Sequence, residues 1–465
     1  MNNLLLFACV CLAGLVACRK TTQRPVPESP LHPDSAYVRF TVTAEGGETV
    51  RDGRLLVFRD GSSQLCEFNM AFNGDHTPAI RMISGARRVF VVANVASRPR
   101  IEYALDQVIE GQTTATEFLN DISRFDPAGH VAGLGDPFAV DLVVDGESVV
   151  MGNAIDPQSA MNITGGVTRE QCEAAAPDVP TANSFTITVK PVVAQCSVSY
   201  AGPSALTTAD NAGELSQLVW TLRGQNRSIF LVQRLDGTTP CAPYYNMFIN
   251  TPPTELGDPA LFAQYFYNGA PYPASPNIFD VGLAAQSCYT TENTSLTPCA
   301  LNTTCASIRA VYTPHHAYAS VDYLFGQQMF ANHVAVNVTP GTTLYRTTVD
   351  GNGLPRGAVF TDRDEAYKAA YLLKNPAAAS VPDLGGFDPA GYLDVYVGGQ
   401  CYYRLYFGEG DNSVAGGAVV FGVHRAGRYS AIIKSFDAIG SPVDNFVEQQ
   451  PDGKPTEHIK AVRSK

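Results

Sequence analysis

Tryptophan is nearly absent: the 465-residue chain has one, Trp220. Sugar-binding platforms often present tryptophan faces, so this scarcity weighs against a dedicated glycan-binding module. Charge is scarce as well, at 16% of residues, and acidic residues outnumber basic ones 44 to 32, for a formal net charge of -12. Nucleic acids and anionic membranes are recognised through clustered Lys and Arg, so no nucleic-acid partner is expected. No segment reaches the roughly 18 apolar residues of a membrane-spanning helix.

Catalytic motifs are missing too. The sequence has no G-x-S-x-G, no H-E-x-x-H, no Walker loop and no strand-linked G-x-G-x-x-G. No closely spaced cysteine pair suits zinc, and His315-His316, adjacent on a strand, would point to opposite faces. Asp350-Gly351-Asn352-Gly353 lacks the later bidentate Glu of a calcium loop and reads as a hairpin turn. Asp362, Asp364 and Glu365 fit a helix start, where carboxylates complement the dipole. Gly408-Glu409-Gly410-Asp411 fits an exposed turn. No catalytic residue, metal ligand or cofactor is expected, and a secreted hydrolase ranks last among the function classes.

What is present is apolar residue in quantity, 45%, punctuated by 40 Gly and 31 Pro. This composition can bury cores and divides the chain into short strands joined by turns. The chain opens with an apolar stretch, Leu4 to Leu15, followed by Leu15-Val16-Ala17-Cys18. That order reads as a lipoprotein signal over residues 1–18, with Cys18 the lipid-carrying first residue of the mature chain. Cys9 and Cys11 lie in this leader. Cys66, Cys172, Cys196, Cys241, Cys288, Cys299, Cys305 and Cys401 remain, an even number that suits disulfides in an exported protein, with the pairing open.

Residues 19–36 are polar and proline-rich and read as a tether. Tyr37-Val38-Arg39-Phe40-Thr41-Val42-Thr43-Ala44 then alternates with the period of a strand. Further strands are read at 53–58, 88–93, 185–189 and 192–198, with Pro191 marking a bulge or a change of sheet. A second block holds strands at 218–222, 229–232, 307–312, 334–338, 393–397, 402–407, 418–423 and 429–433. One helix is expected, Arg363 to Asn375, capped by Asp362. The predicted architecture is mostly β: two β-sandwich-like, transthyretin-like domains at 37–204 and 205–442, few short helices, and a polar C-terminal tail at 443–465.

Several local patterns resemble the Bacteroidetes fimbrillins, the type V pilins. Gly85-Ala86-Arg87-Arg88-Val89-Phe90-Val91-Val92-Ala93-Asn94, Val150-Met151-Gly152 and Val189-Lys190-Pro191-Val192-Val193-Ala194 are similar to N-terminal-domain motifs of that family. Tyr289, Glu292-Asn293-Thr294, Thr304 through Tyr312, Cys401-Tyr402-Tyr403-Arg404, Phe421-Gly422-Val423-His424-Arg425, Tyr429 and Ile439-Gly440-Ser441-Pro442 follow the family's closing order. The usual Arg-Asn pair is Arg425-Ala426 here.

The resemblance implies a surface fimbrial subunit that reaches the outer membrane as a lipid-anchored precursor and is then cut by an arginine-specific protease. The cut would follow Arg51 and remove the strand bearing Tyr37, Val38, Phe40 and Val42. Other fimbrial subunits would be partners through donor-strand exchange, and host or bacterial surface receptors would be the adhesive targets. Residues 443–465 lack the family's apolar-alternating donor segment; only Phe446, Val447, Ile459 and Val462 could fill pockets. This implies a tip or accessory subunit. The alternative, kept open by 21 tyrosines, is a glycan-binding or anchoring surface lipoprotein.

Overall fold

Apolar residues at strand period organise the first half of the chain, as seen in a computed structural model. The structure describes residues 33–125, 142–144, 148–154, 159–210, 212–236, 239–252, 255–256, 258–267, 278–324, 329–335, 337–444, 455 and 457–465. The strands β1 (Ser35–Ala44), β2 (Asp52–Arg59), β3 (Cys66–Asn73), β4 (Ile80–Ile83), β5 (Gly85–Ala93), β6 (Met151–Gly152) and β7 (Ser184–Pro191) form a sheet in the order β3-β2-β5-β6-β7-β1-β4, with Ala160–Ile163 pairing on β5. The unbroken apolar runs of β2 and β5 are buried on both faces, as their lack of alternation predicts. Leu55, Val57, Val89 and Val91 face a core shared with β1 and β7. Leu56, Phe58, Phe90 and Val92 face another, made with Ile101 and Leu105 of α1 (Pro99–Asp106), with Phe118, and with Ile229, Leu231 and Val232 from the second half. The Phe58, Phe90 and Phe118 rings meet there at centroid distances of 5.4–5.8 Å.

Gly152 marks a close approach of the two halves. A Cβ added to it would stand 1.8 Å from the Leu231 carbonyl oxygen, so no other residue fits without moving backbone.

The second half is a sandwich of two sheets. One runs β11-β8-β16-β17-β14-β15, built from β8 (Val193–Tyr200), β11 (Gln286–Thr291), β14 (Gly408–Asp411), β15 (Val419–Phe421), β16 (Arg428–Phe436) and β17 (Ile459–Ser464). The other runs β10-β9-β12-β13, from β9 (Gly213–Arg223), β10 (Phe279–Asp280), β12 (Cys305–Pro314) and β13 (Gln400–Tyr406). Their inner faces enclose one core. Trp220 is fully buried in it, with Phe279 and Phe407 rings 5.1 and 6.1 Å away. The two halves share a frame: β1 lies parallel to β7, and β8 lies parallel to β16. Between β12 and β13 the chain makes a smaller lobe. Five strands, spanning Ala317–Leu324 to Leu393–Tyr396, are packed by α2 (Arg363–Lys374), whose Asp362 cap accepts the Glu365 amide at 3.0 Å. Asp350 to Gly353 form a turn closed by Gly351 and Leu354.

Three expectations need correction. Residues 193–200, read as part of the first domain, pair with β11 and β16. The change of sheet therefore falls at Pro191–Val193, where the proline removes a ladder donor. Residues 443–465, read as a polar tail, end in β17, which lies between β16 and β14 with Ile459 and Ala461 fully buried. Its charge is tolerated because Arg463 pairs with buried Glu457 and donates to the Tyr406 carbonyl at 2.8 Å. Glu457 also accepts the Tyr406 amide at 2.7 Å. Burial pushes the Glu457 carboxyl up while Arg463 opposes it. Phe446 and Val447 lie outside the described residues. Finally, no disulfide forms among the described residues. The thiols of Cys66, Cys305 and Cys401 act as small apolar core groups, pushed up to about 12 by burial.

The altered Arg-Asn pair also has a structural meaning. Arg425 is fully buried, paired with Glu292 at 3.0 Å and bonded to the Phe230 carbonyl at 2.8 Å. Ala426 then turns the chain at φ 59°, a conformation that Asn or Gly adopts more easily than Ala. Ala426→Gly is expected to stabilise the protein by about 0.5–1 kcal/mol, read as a higher melting temperature. Glu457→Gln leaves Arg463 buried without its counter-charge and is expected to cost about 3 kcal/mol in denaturant unfolding.

Candidate functional site

β1 is the element whose surroundings are unusual. The sequence SAYVRFTVTA is rich in β-branched and aromatic residues and short of turn formers, so it extends. Ala36, Tyr37, Val38, Phe40 and Val42 are all buried in the core. The two edges of β1 are held by different neighbours. Residues 39–44 run parallel to Ser184–Val189 of β7, and residues 35–38 run antiparallel to Ile80–Ile83 of β4.

Bonds outside the ladders fill the gaps. The Val42 amide donates to the Asp75 carbonyl at 2.7 Å. The Phe40 amide donates to the buried Thr77 hydroxyl at 3.1 Å, and Thr77 returns its own amide to the Phe40 carbonyl at 2.9 Å. Buried Asn183 donates to the Tyr37 carbonyl at 3.2 Å, while the Arg39 amide donates to the Asn183 carbonyl at 3.0 Å. The Phe40 and Phe185 rings stack at 6.1 Å, and the Arg169 guanidinium lies 4.8 Å above the Tyr37 ring.

Burying Tyr37, Val38, Phe40 and Val42 contributes on the order of 10 kcal/mol at about 1.5–3 kcal/mol each. A domain's whole net stability is only about 5–15 kcal/mol. The first half therefore depends on the strand in this slot.

The loop from β1 to β2 carries the expected cleavage residue. Gly46 and Gly47 adopt φ of 83° and 80°, and nothing lies within 4 Å of a Cβ built on either. The loop tip is thus open to solvent. Nearby, Glu45 pairs with Lys190 at 2.7 Å. Glu48 is close enough to Tyr289 that its charge adds to burial in raising that phenol's pKa. Arg51 itself stands at the base of the loop. Its side chain is exposed, but its amide donates to the Asn94 side-chain oxygen at 2.9 Å and its carbonyl accepts from the Gly74 amide at 2.7 Å. Asn94, 1% exposed and at φ 60°, also donates to the carbonyls of Thr49 and Val149, both at 3.0 Å. Asp52, the next residue, accepts the Val95 and Ala96 amides. Arg39 bonds to the Ala175 carbonyl from within β1, and Arg54 pairs with Asp106 from within β2.

The structure thus brings Tyr37, Val38, Phe40 and Val42 into one slot and places Arg51 at its exit. Cys18 lies outside the described residues. Asn94 closes the apolar motif that begins at Gly85, whereas Thr77 and Asn183 stand in no sequence motif and take their roles only from the fold. Asn94 and Asn183 share a visible signal: an asparagine beside a strand end, a residue type that tolerates left-handed backbone.

Asn94→Ala removes the clamp over Thr49 and Arg51. Losing buried hydrogen bonds worth about 1–3 kcal/mol in all raises the opened fraction roughly fivefold to a hundredfold. Limited trypsin digestion should then generate an Asp52 N-terminus at least about fivefold faster than in the unmodified chain.

Comparison with known proteins completes the description. No family model matches the sequence, and no curated protein matches it. Among solved structures, the chain is similar to a cell adhesion protein from Parabacteroides distasonis, at 13% identity and a TM-score of 0.45 over 92% of this chain and 97% of that one. It is similar to a fimbrilin (fimA) from Porphyromonas gingivalis, at 12% identity and a TM-score of 0.42 over 93% and 97%. It is also similar to the tip fimbrial protein Mfa3 from Porphyromonas gingivalis, at 12% identity and a TM-score of 0.38 over 92% and 98%. These three solved structures are adhesion and fimbrial proteins of the Bacteroidetes.

Proposed function

We propose that this chain is a non-enzymatic subunit of a surface fibre, matured by removal of β1. In this reading Cys18 carries the lipid that holds the precursor at the outer membrane. An arginine-specific protease cuts after Arg51 and releases β1. A strand from a neighbouring subunit then enters between β7 and β4, and the assembled fibre supports adhesion to host or bacterial surfaces.

The observation that carries the proposal is the placement of β1. It is an edge-filling strand with its apolar side chains in the core, and one open glycine loop is its link to the rest of the fold. Removing it would expose the backbone edges of β7 and β4 and an apolar slot, the features that an added strand satisfies. The incoming strand would need apolar residues at alternate positions, matching Ala36, Val38, Phe40 and Val42. β17 supports a tip or accessory position, because this strand pairs within its own sheet. A second reading has one observation in its favour. The Arg51 backbone is bonded on both sides, which slows cutting and suits an uncleaved anchoring lipoprotein.

The N-terminus and intact mass of the protein taken from its native cell surface separate the two. A chain starting at Asp52 supports the polymerising subunit, and Arg51→Ala should then remain full-length and fail to enter high-mass ladders. A chain starting at lipidated Cys18 overturns the strand-removal reading in favour of the anchor.

A further inference from the structure

The outer face of the β10-β9-β12-β13 sheet carries a pocket that the fibre reading does not use. Residues directly opposite on neighbouring strands share a face. One such row runs Asp280, Val219, Arg309, Tyr402 across β10, β9, β12 and β13. The next row adds Val311 opposite Gln400. Trp220 and Ile308, one residue along, point the other way into the core. Asp280, Val219, Arg309, Val311 and Gln400, with Gln217 and Leu218, line a cavity of about 240 Å³.

Gln217 is there because the strand breaks its register. The β9–β12 ladder slips between Ser216 and Val219, and Gln217 takes φ 52°. A glutamine in left-handed backbone inside a strand is strained, and such strain is commonly kept at functional positions. The slip has a product: it sets the Gln217 side chain at the rim of the cavity.

The chemistry of the lining is specific. Val219 and Val311 provide an apolar floor. Asp280 accepts and Arg309 donates from either side of Val219, about 10 Å apart at two strand spacings of ~4.8 Å. Gln217 and Gln400 each offer both a donor and an acceptor. The Gln400 side-chain oxygen accepts from the Tyr402 hydroxyl at 3.2 Å, which orients its amide. Opposed charges disfavour a ligand with net charge of either sign, and four polar groups disfavour an apolar one. A hydroxyl both donates and accepts, so several hydroxyls around a ring with one C–H face match this set. The volume lies below the roughly 300–1,000 Å³ of drug-sized sites, which limits the occupant to about one ring.

We propose that this pocket binds one neutral pyranose unit, the terminal sugar of a surface glycan. The site is built by strand register in the second half of the chain, so it does not require removal of β1.

Saturation-transfer NMR followed by titration calorimetry on the full mature chain tests it. The probes are D-glucose, D-galactose, D-mannose, L-fucose and N-acetyl-D-glucosamine, with glycine and L-alanine as zwitterionic competitors for the same Asp and Arg. One or more sugars should bind with a Kd on the order of 1 mM. Gln217→Gly and Asp280→Asn should each weaken that binding about tenfold or more. Gln217→Gly also relieves the strained φ, so its melting temperature should hold or rise, and lost binding cannot then be laid to misfolding. No sugar binding at about 20 mM, some twentyfold above the expected Kd, overturns the proposal. So does sugar binding that both variants retain, or binding of the amino acids in place of the sugars.

Discussion

A sheet edge must be paired, and an apolar slot must be filled. In the first half of this protein, both demands are met by one ten-residue strand. β1 satisfies the backbone of β7 over its second part and of β4 over its first. Thr77 and Asn183 bond where the strand changes partner. The core that β2 and β5 present on that side is closed by Val38, Phe40 and Val42. Everything else in the first half can be in place and the domain still has an open side. The stability of the half therefore rests on the residues of this one strand.

The second half meets the same demand differently. β8 lies against β16 as β1 lies against β7. Here, however, the parallel strand is inside the chain, flanked by residues that pass directly from one sheet to the next. β16 is then paired on its far edge by β17. The two halves thus share a frame but differ in how the parallel strand is joined to the rest: β1 passes to β2 through a glycine loop, whereas β8 follows β7 with one intervening residue.

The parts of this arrangement that were legible are those that local pattern controls. β1 shows its alternation, β5 its unbroken apolar run, and α2 its Asp362 cap with Ala and Leu on the buried side. Pro191 marks the change of sheet. The illegible parts depend on partners remote in sequence. β17 reads as part of a polar tail because Lys460 and Arg463 interrupt its short apolar pattern and the residues before it are polar, and burial of Arg463 makes sense only once Glu457 is seen beside it. Cysteine number suggested bridges, but number carries no geometry, and thiols such as Cys66, Cys305 and Cys401 lie in separate cores. Arg51 was recognisable as a loop arginine, yet the Asn94 clamp on its amide lies 43 positions away in sequence. The Gln217 bulge has no local signal, because glutamine is not a turn former.

The parallel pairing of β1 with β7 also fixes an order of events in time. The Thr43 and Thr188 hydroxyls sit 3.3 Å apart although 145 positions separate them along the chain. Contacts of such long range close slowly, because a large loop must be organised before they form. During synthesis β1 is made well over a hundred residues before β7, so residues 39–44 can complete their pairing only late, and until then the nascent domain exposes its apolar slot to whatever surrounds it.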